Sequence, residues 1–498
     1  MDYPIWTVVV VIITFIFYKA NRRRYYFKER GIPQPFEWPF VGISGSSIFK
    51  GRHVSHTLKD VYNINKEAKY VGCHMLTSRC IVVRDLDLIK SVLVKNFDHF
   101  AYRKSFVDEN ADPLFGKNMF FINGDKWRDV RTLLSPAFTS SKMRGMFGPM
   151  NKCADNFSRQ FLDIYKDKKE INTKDAFTRY ANDVIATCAF GIEVDSLKDR
   201  ENEFYVTGKR CTDFQKMPLV KLLFMTAFHR LSQILGMRII SKSDTDYFVK
   251  IIKSTIRTRE EKGITRPDML QMMMEARDTK SYESLLDITA QAFTFFLGGF
   301  ESTASHMCLI ANELAAHPDI QKRLQDEVDA AMEKCNGKPT YEVVNNDMPY
   351  MDAVFSETMR LYPVSFLGRV VSKDFELPPA LPDSKPFVAK EGLEVFIPSS
   401  AIHLDPDYYE DPETFNPDRF LNKKITTFDV TNLGFGMGPR VCIGNRFAIL
   451  ETKILFLHLL TKCNLELCKK SPVPFEYDKF SFVPNAKNGF WLKISPRK

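Results

Sequence analysis

Phe435-Gly-Met-Gly-Pro-Arg-Val-Cys-Ile-Gly444 is the stretch whose residue types and spacing suggest chemistry most directly. Gly436 and Gly438 permit backbone angles closed to other residues, and Pro439 stiffens the turn. A helix is expected to begin near Asn445, which puts Cys442 just ahead of a helix N-terminus. Free amides and the helix dipole favour a thiolate there. A thiolate in a tight glycine loop suits an axial iron ligand. Gly444 lets a flat macrocycle approach the backbone, and Arg440 is placed to pair with a carboxylate on it. No two of the ten cysteines are spaced as Cys-x-x-Cys, so zinc-ribbon, thioredoxin-type and covalent c-type haem sites have no support.

Three more groups stand upstream. Glu357-Thr-Met-Arg360 is the single Glu-x-x-Arg of the chain and precedes Leu-Tyr-Pro363. By itself an i,i+3 pair is more often a solvated helix salt bridge. Trp127-Arg-Asp-Val-Arg131 puts an indole N–H and a guanidinium on one helical face. Leu297-Gly-Gly-Phe-Glu-Ser-Thr303 lies within a long apolar run. Each of its two glycines weakens a helix by about 1 kcal/mol against Ala. They are tolerable where a helix packs closely or opens locally to bind. Glu301, a carboxylate in an apolar helix, needs a partner or a proton path.

The first stretch resembles the haem-binding signature of the cytochrome P450 family, Phe-x-x-Gly-x-Arg-x-Cys-x-Gly, at Phe435, Gly438, Arg440, Cys442 and Gly444. The resemblance runs nearly the whole chain. It implies haem b (iron protoporphyrin IX) with Cys442 as axial thiolate. It assigns Trp127, Arg131, Arg369 and Arg440 to the haem propionates, with Arg103 as a further candidate. It joins Glu357 and Arg360 to Arg419, in Phe415-Asn-Pro-Asp-Arg-Phe420, as a structural lock. Glu301 matches the acid of the family's acid–alcohol pair. Ser302 stands where the family usually has Thr, and Thr303 is the second choice for the alcohol. Ser keeps the hydroxyl but lacks the methyl that restricts χ1. Pocket positions implied by the family are Phe115, Phe120, Phe121, Phe296, Phe300 and Phe366, although such aromatics are also ordinary core. Phe106-Val-Asp, Asp112-Pro-Leu-Phe-Gly-Lys117 and the closing Asn488-Gly-Phe-Trp-Leu-Lys resemble insect microsomal members of the xenobiotic-metabolising kind.

The elements that must hold these groups read as mostly α with a smaller β part, the P450 fold behind an N-terminal anchor helix. Helical periodicity dominates from about 125 to 335, and Ser284–Ala316 reads as one long buried helix. Tyr70–Met75 and Cys80–Val83 read as strands, and residues 365–400 and 470–498 have strand-and-turn character. Ile5–Tyr18 is fourteen residues without a charge, followed by six basic residues and one acid between Lys19 and Arg30. That order favours an uncleaved signal anchor with the rest of the chain cytosolic. The expected organisation is an anchor over 1–20, a basic and Pro-rich linker over 21–42 and a catalytic domain over 43–498. Residues 217–240 mix apolar positions with Lys221, His229, Arg230 and Arg238. They read equally as helices dipping into lipid headgroups or as a buried helix with snorkelling bases.

Net charge is +9, and the cluster from Lys19 to Arg30 carries +5 of it. This argues against a nucleic-acid stripe. With 44% hydrophobic and 26% charged residues, a mostly disordered chain is excluded. The expected function is a haem-thiolate monooxygenase acting on a lipophilic small molecule and O2 at the endoplasmic reticulum membrane. The resemblance implies NADPH–cytochrome P450 reductase as electron donor, with cytochrome b5 as a second; Lys126 and Arg128 are docking candidates. No nucleotide or flavin fingerprint occurs in the chain. A peroxide isomerase or dehydratase would tend to lack the acid–alcohol pair. A haem sensor would not need Glu301.

Overall fold

The computed structural model describes residues 5–105, 107–213, 221, 224–226, 228–266, 268–277, 284–421, 429–430, 432–479, 481 and 483–497. Helix takes 55% and strand 10%, which makes the fold mostly α as expected. The chain divides into two compact units, each assembled from three segments. Met1–Lys104, Pro363–Pro412 and Thr427–Val441 form the smaller; Ser105–Tyr362, Glu413–Thr426 and Cys442–Lys498 form the larger. Units stitched from separated segments leave no composition break, so a linear reading of 43–498 sees one domain.

The smaller unit is built on a four-stranded sheet in the order Tyr70–Met75, Ser78–Val83, Glu394–Ile397, Leu367–Val370. The first two strands are antiparallel, with Cys73 opposite Cys80. Ser78–Val83 runs parallel to Glu394–Ile397, and Leu367–Val370 closes the edge antiparallel with Arg369 opposite Val395. Cys80–Val83 is apolar without alternation because both faces are covered. Ile81 and Val83 join Leu93, Val395 and Ile397 on one face. Cys80 and Val82 join Leu58, Val71 and Cys73 on the other. The Pro-rich connector is stapled to the first strand. Glu37 Oε1 accepts from the His74 backbone N–H at 2.6 Å, and Oε2 lies 2.9 Å from His74 Nδ1.

A helix forms at Ile5–Arg23, and Trp6, Val10, Val11, Phe15, Phe17 and Tyr18 on it are exposed. As a spanning anchor it is short. Among the described residues no helix is long and apolar enough to cross a membrane. The fourteen charge-free residues make about 21 Å of helix against a hydrocarbon core of about 30 Å. Lys19, Arg22 and Arg23 fill the last turns, and Tyr3 and Pro4, which would extend the run, lie outside the described residues.

The larger unit surrounds the helix Leu285–Ala316, capped by Ser284, whose hydroxyl accepts from the Asp287 N–H. It packs chiefly against Thr173–Ile185, and also against Lys242–Lys262, Pro349–Leu361 and Asn445–Leu460. Phe190, Phe204, Phe248, Phe293 and Phe296 form an aromatic cluster between these helices. Each such ring contributes roughly 1.5–3 kcal/mol on burial. Gly208 leaves room for Phe296, since a Cβ there would collide with its ring.

Glu357 and Arg360 are fully buried in this unit. Arg360 Nε donates to Glu357 Oε2 at 2.7 Å and Nη2 to Oε1 at 2.8 Å. The Asn416 N–H donates to Oε1 at 2.9 Å, and Arg419 Nε lies 3.4 Å from it. Arg360 Nη2 also donates to the Thr414 carbonyl at 3.3 Å. The expected lock is therefore a buried carboxylate that ties residues 414–419 to the helix Pro349–Leu361. Glu357→Ala would strand a buried guanidinium and is expected to cost about 3–5 kcal/mol. Denaturant unfolding would measure that loss, and Arg360→Met added to it should recover part.

Candidate active site

Cys442 lies in the larger unit, two residues before Gly444, the N-cap of the helix Asn445–Leu460. Among the described residues it is the one exposed cysteine of the ten. Burial pushes the Cys153, Cys211, Cys308 and Cys463 thiols up to about 12, which keeps them protonated and inert. Cys442 is thus accessible to a metal, while burial disfavours a thiolate at these four. Gly444 has an ordinary φ of −91°, and a Cβ there would meet only Phe138 at 3.7 Å. Protein packing does not demand glycine at this place, whereas a flat ligand lying on the backbone would. On the helix Gly124–Leu134, Trp127 is buried and Arg131 half-buried. Burial lowers the Arg131 pKa, and the nearby Cys442 charge pulls it back up.

The smaller unit holds the other haem-binding candidates. Phe435 is half-buried in the loop that follows the buried Leu433. Gly438, at φ +73°, lies against the Leu93 carbonyl oxygen with no space for a Cβ, which holds the turn before Arg440 in place. Arg440 is buried and its Nε donates to the Ala101 carbonyl at 3.0 Å. The next residue, Tyr102, accepts from the Val370 N–H at 2.8 Å, which places Arg103 beside the strand carrying Arg369. Arg369 is 2% exposed. Burial, then the charge of Arg103, push its pKa down to about 9, and no carboxylate offsets them. Its Nη1 donates to the Gly368 carbonyl at 2.9 Å, while its buried Nε has no partner among the described residues. The nearby strand acid, Glu394, is already taken by Lys104 at 2.6 Å. A buried Arg369 whose charge is not offset suits an anionic ligand such as a propionate.

The acid–alcohol stretch lies on Leu285–Ala316, which stays helical throughout, so no local opening of the helix occurs. Its two glycines serve different needs. A Cβ at Gly299 would collide with Ile185, whereas one at Gly298 would meet nothing within 4 Å. Ser302 is exposed and its hydroxyl donates to the Gly298 carbonyl. Thr303, the second choice for the alcohol, is buried. Glu301 Oε1 lies 2.9 Å from Lys174 Nζ and accepts from Asn485 Nδ2 at 3.0 Å. Sequence reasoning missed both partners.

The pocket candidates separate. Phe296 and Phe300 are 0% and 1% exposed and stack on each other at 4.8 Å; they are core, not pocket. Phe115 stacks on Phe121 at 4.5 Å, and Phe120 is 49% exposed. Phe366 packs edge-on against Phe396 in the smaller unit. Asp112, also missed, is a fully buried carboxylate. It accepts from the Phe115, Ile239 and Ile240 N–H groups, so it ties the aromatic turn to the chain before Lys242–Lys262. Lys126 and Arg128 already face Glu109 and Asp125 at 2.9 and 3.1 Å, which weakens them as docking cations. Of residues 217–240, positions 217–220, 222–223 and 227 lie outside the described residues. Along His229–Ile234 and its flanks, Phe228, Leu231, Ile234 and Leu235 are 45–81% exposed, which removes the buried-helix reading there.

An exposed thiol ahead of a helix and a glycine that packing does not require suit a haem-thiolate oxidoreductase. Residues 33–492 match the family described as cytochrome P450. A Blattella germanica protein named cytochrome P450 9e2 is 37% identical over 527 residues, covering 99% of this chain and 98% of that one. A Drosophila melanogaster protein named probable cytochrome P450 9f2 is 36% identical, with 97% of each chain covered. Cytochrome P450 6a9 of Drosophila melanogaster is 34% identical, with 98% of each covered. The chain belongs to the cytochrome P450 family and is a monooxygenase. The family implies a haem with a cysteine thiolate as axial ligand, and the residues above fit it. Arg369→Met should have opposite effects on the two forms. The apoprotein should gain stability to denaturant, because a desolvated charge is removed. Haem transfer to a scavenging apoglobin should quicken about tenfold, because a charge-assisted bond is lost.

Proposed function

We propose that this enzyme hydroxylates a lipophilic small molecule at the endoplasmic reticulum membrane, with electrons from NADPH relayed by NADPH–cytochrome P450 reductase and cytochrome b5 as a second donor. A substrate C–H bond, O2, two electrons and two protons give C–OH and water. The observation that carries the reading is Cys442, the exposed thiol in the glycine loop. Thiolate-ligated haem supplies the cleavage of dioxygen. The protein's part is holding and proton supply. Trp127, Arg131, Arg369 and Arg440, with Arg103, bind the propionates. Glu301 carries protons, and Ser302 Oγ orients them from the exposed side of its helix. Phe115, Phe120 and Phe121 offer an apolar surface to substrate, and Phe366 remains a pocket position by family likeness.

Cys442→Ala should remove the long-wavelength Soret band that a thiolate gives the ferrous carbonyl haem, together with NADPH-driven product. Retention of either would take Cys442 out of the site. Turnover of an organic peroxide without reductase, in place of NADPH-dependent product, would indicate an isomerase instead.

Membrane attachment is supported by the exposed apolar helix Ile5–Arg23, the basic cluster after it and the exposed Leu231, Ile234 and Leu235. The reading is an N-terminal anchor with the catalytic part facing the cytosol. Ile234→Glu with Leu235→Glu, in a chain shortened to remove residues 1–23, should weaken flotation with phospholipid vesicles about tenfold.

A further inference from the structure

Glu301 sits in a closed ring of polar contacts, all within the larger unit. Lys174, in the first turn of the helix Thr173–Ile185, reaches Glu301 Oε1 at 2.9 Å, Ser305 Oγ at 2.5 Å and the Glu301 carbonyl at 3.4 Å. Asn485, in the chain leading to the last strand Trp491–Pro496, donates to the same Oε1 at 3.0 Å. Ser305 Oγ donates to Asn485 Oδ1 at 2.9 Å and closes the ring. Asn485 Nδ2 also donates to Ser481 Oγ at 3.1 Å. Residues 301 and 305 share a helix face, so one lysine and one amide serve both.

The two oxygens of Glu301 are thereby unequal. Oε1 takes both donors; Oε2 takes none among the described residues. The side chains of Lys174 and Glu301 are 21% and 27% exposed, so solvent reaches the ring. Ser302, the next residue, faces the open side of the helix at Gly298.

We propose that Lys174 and Asn485 are positioning residues for proton delivery, fixing Glu301 through Oε1 so that Oε2 alone carries the proton from solvent toward Ser302. This rests on the monooxygenase reading above. When the second proton arrives in place, the electrons from NADPH end in C–OH and water. When it does not, O2 takes the two electrons and two protons and leaves as hydrogen peroxide.

The test uses the full-length holoenzyme with reductase and an oxidised lipophilic probe such as a 7-alkoxycoumarin. Lys174→Met and Asn485→Leu should each lower product per NADPH consumed by about tenfold, with hydrogen peroxide rising to balance. Lys174→Arg should restore the ratio, and the solvent deuterium isotope effect on product should grow in Lys174→Met. Glu301→Gln combined with Lys174→Met should be no worse than Glu301→Gln alone. A double-mutant cycle on urea unfolding of the holoenzyme should show that the two positions are coupled. If Lys174→Met does not retain haem, Asn485→Leu carries the same comparison. An unchanged product ratio and isotope effect in a folded Lys174→Met, whatever its stability, overturns the proposal, and so do multiplicative losses with Glu301→Gln. Absence of the thiolate carbonyl band in the unaltered protein would instead overturn the monooxygenase reading.

Discussion

The larger unit depends on a helix that must pack tightly on one side and stay open on the other. Leu285–Ala316 contacts the helices Thr173–Ile185, Lys242–Lys262, Pro349–Leu361 and Asn445–Leu460. A helix surrounded in this way is apolar nearly all round. Gly298 and Gly299 mark the change of side: Gly299 admits Ile185 and Gly298 faces space. Glu301 and Ser302 follow at once, so the polar groups arrive where the packing stops. The cost of two helical glycines is offset by the aromatic cluster that clasps the helix around Phe293 and Phe296.

The smaller unit answers a different problem, which is how to keep positive charge in a place without water. Arg369 is fixed by its strand opposite Val395, Arg440 by the glycine turn against Leu93 and its bond to the Ala101 carbonyl. None of this offsets the desolvation of Arg369; a bound anion would. The unit therefore spends folding energy on a site whose return comes with the ligand.

How much of this was legible in the sequence follows from the distances along the chain. The glycine loop, Cys442 and the start of the next helix are contiguous, so motif and local geometry could be read together. Glu357 and Arg360 are one helical turn apart, and the family likeness supplied Arg419. The partners of Glu301 were out of reach, because Lys174 stands 127 residues away and Asn485 184. The aromatic positions failed for another reason. Spacing says that Phe296 and Phe300 share a face with their helix neighbours, but not whether that face meets other helices or a cavity. At the amino terminus, hydropathy marked the helix, while its length against a bilayer was the weaker part of the reading. Thr303 and Ser302 differ in burial, a property that adjacent residues on a helix need not share and that spacing alone does not reveal.

The interleaving of the two units bears on how the protein is made. A ribosome delivers the chain from the amino terminus, and multidomain proteins commonly fold each domain as it emerges. Here the smaller unit needs Thr427–Val441 and the larger needs Cys442–Lys498. The first hundred residues must wait, with strands Tyr70–Met75 and Ser78–Val83 lacking Glu394–Ile397, until most of translation is done. Nascent chains of this enzyme thus carry an unfinished sheet edge for longer than a sequentially built protein of equal size.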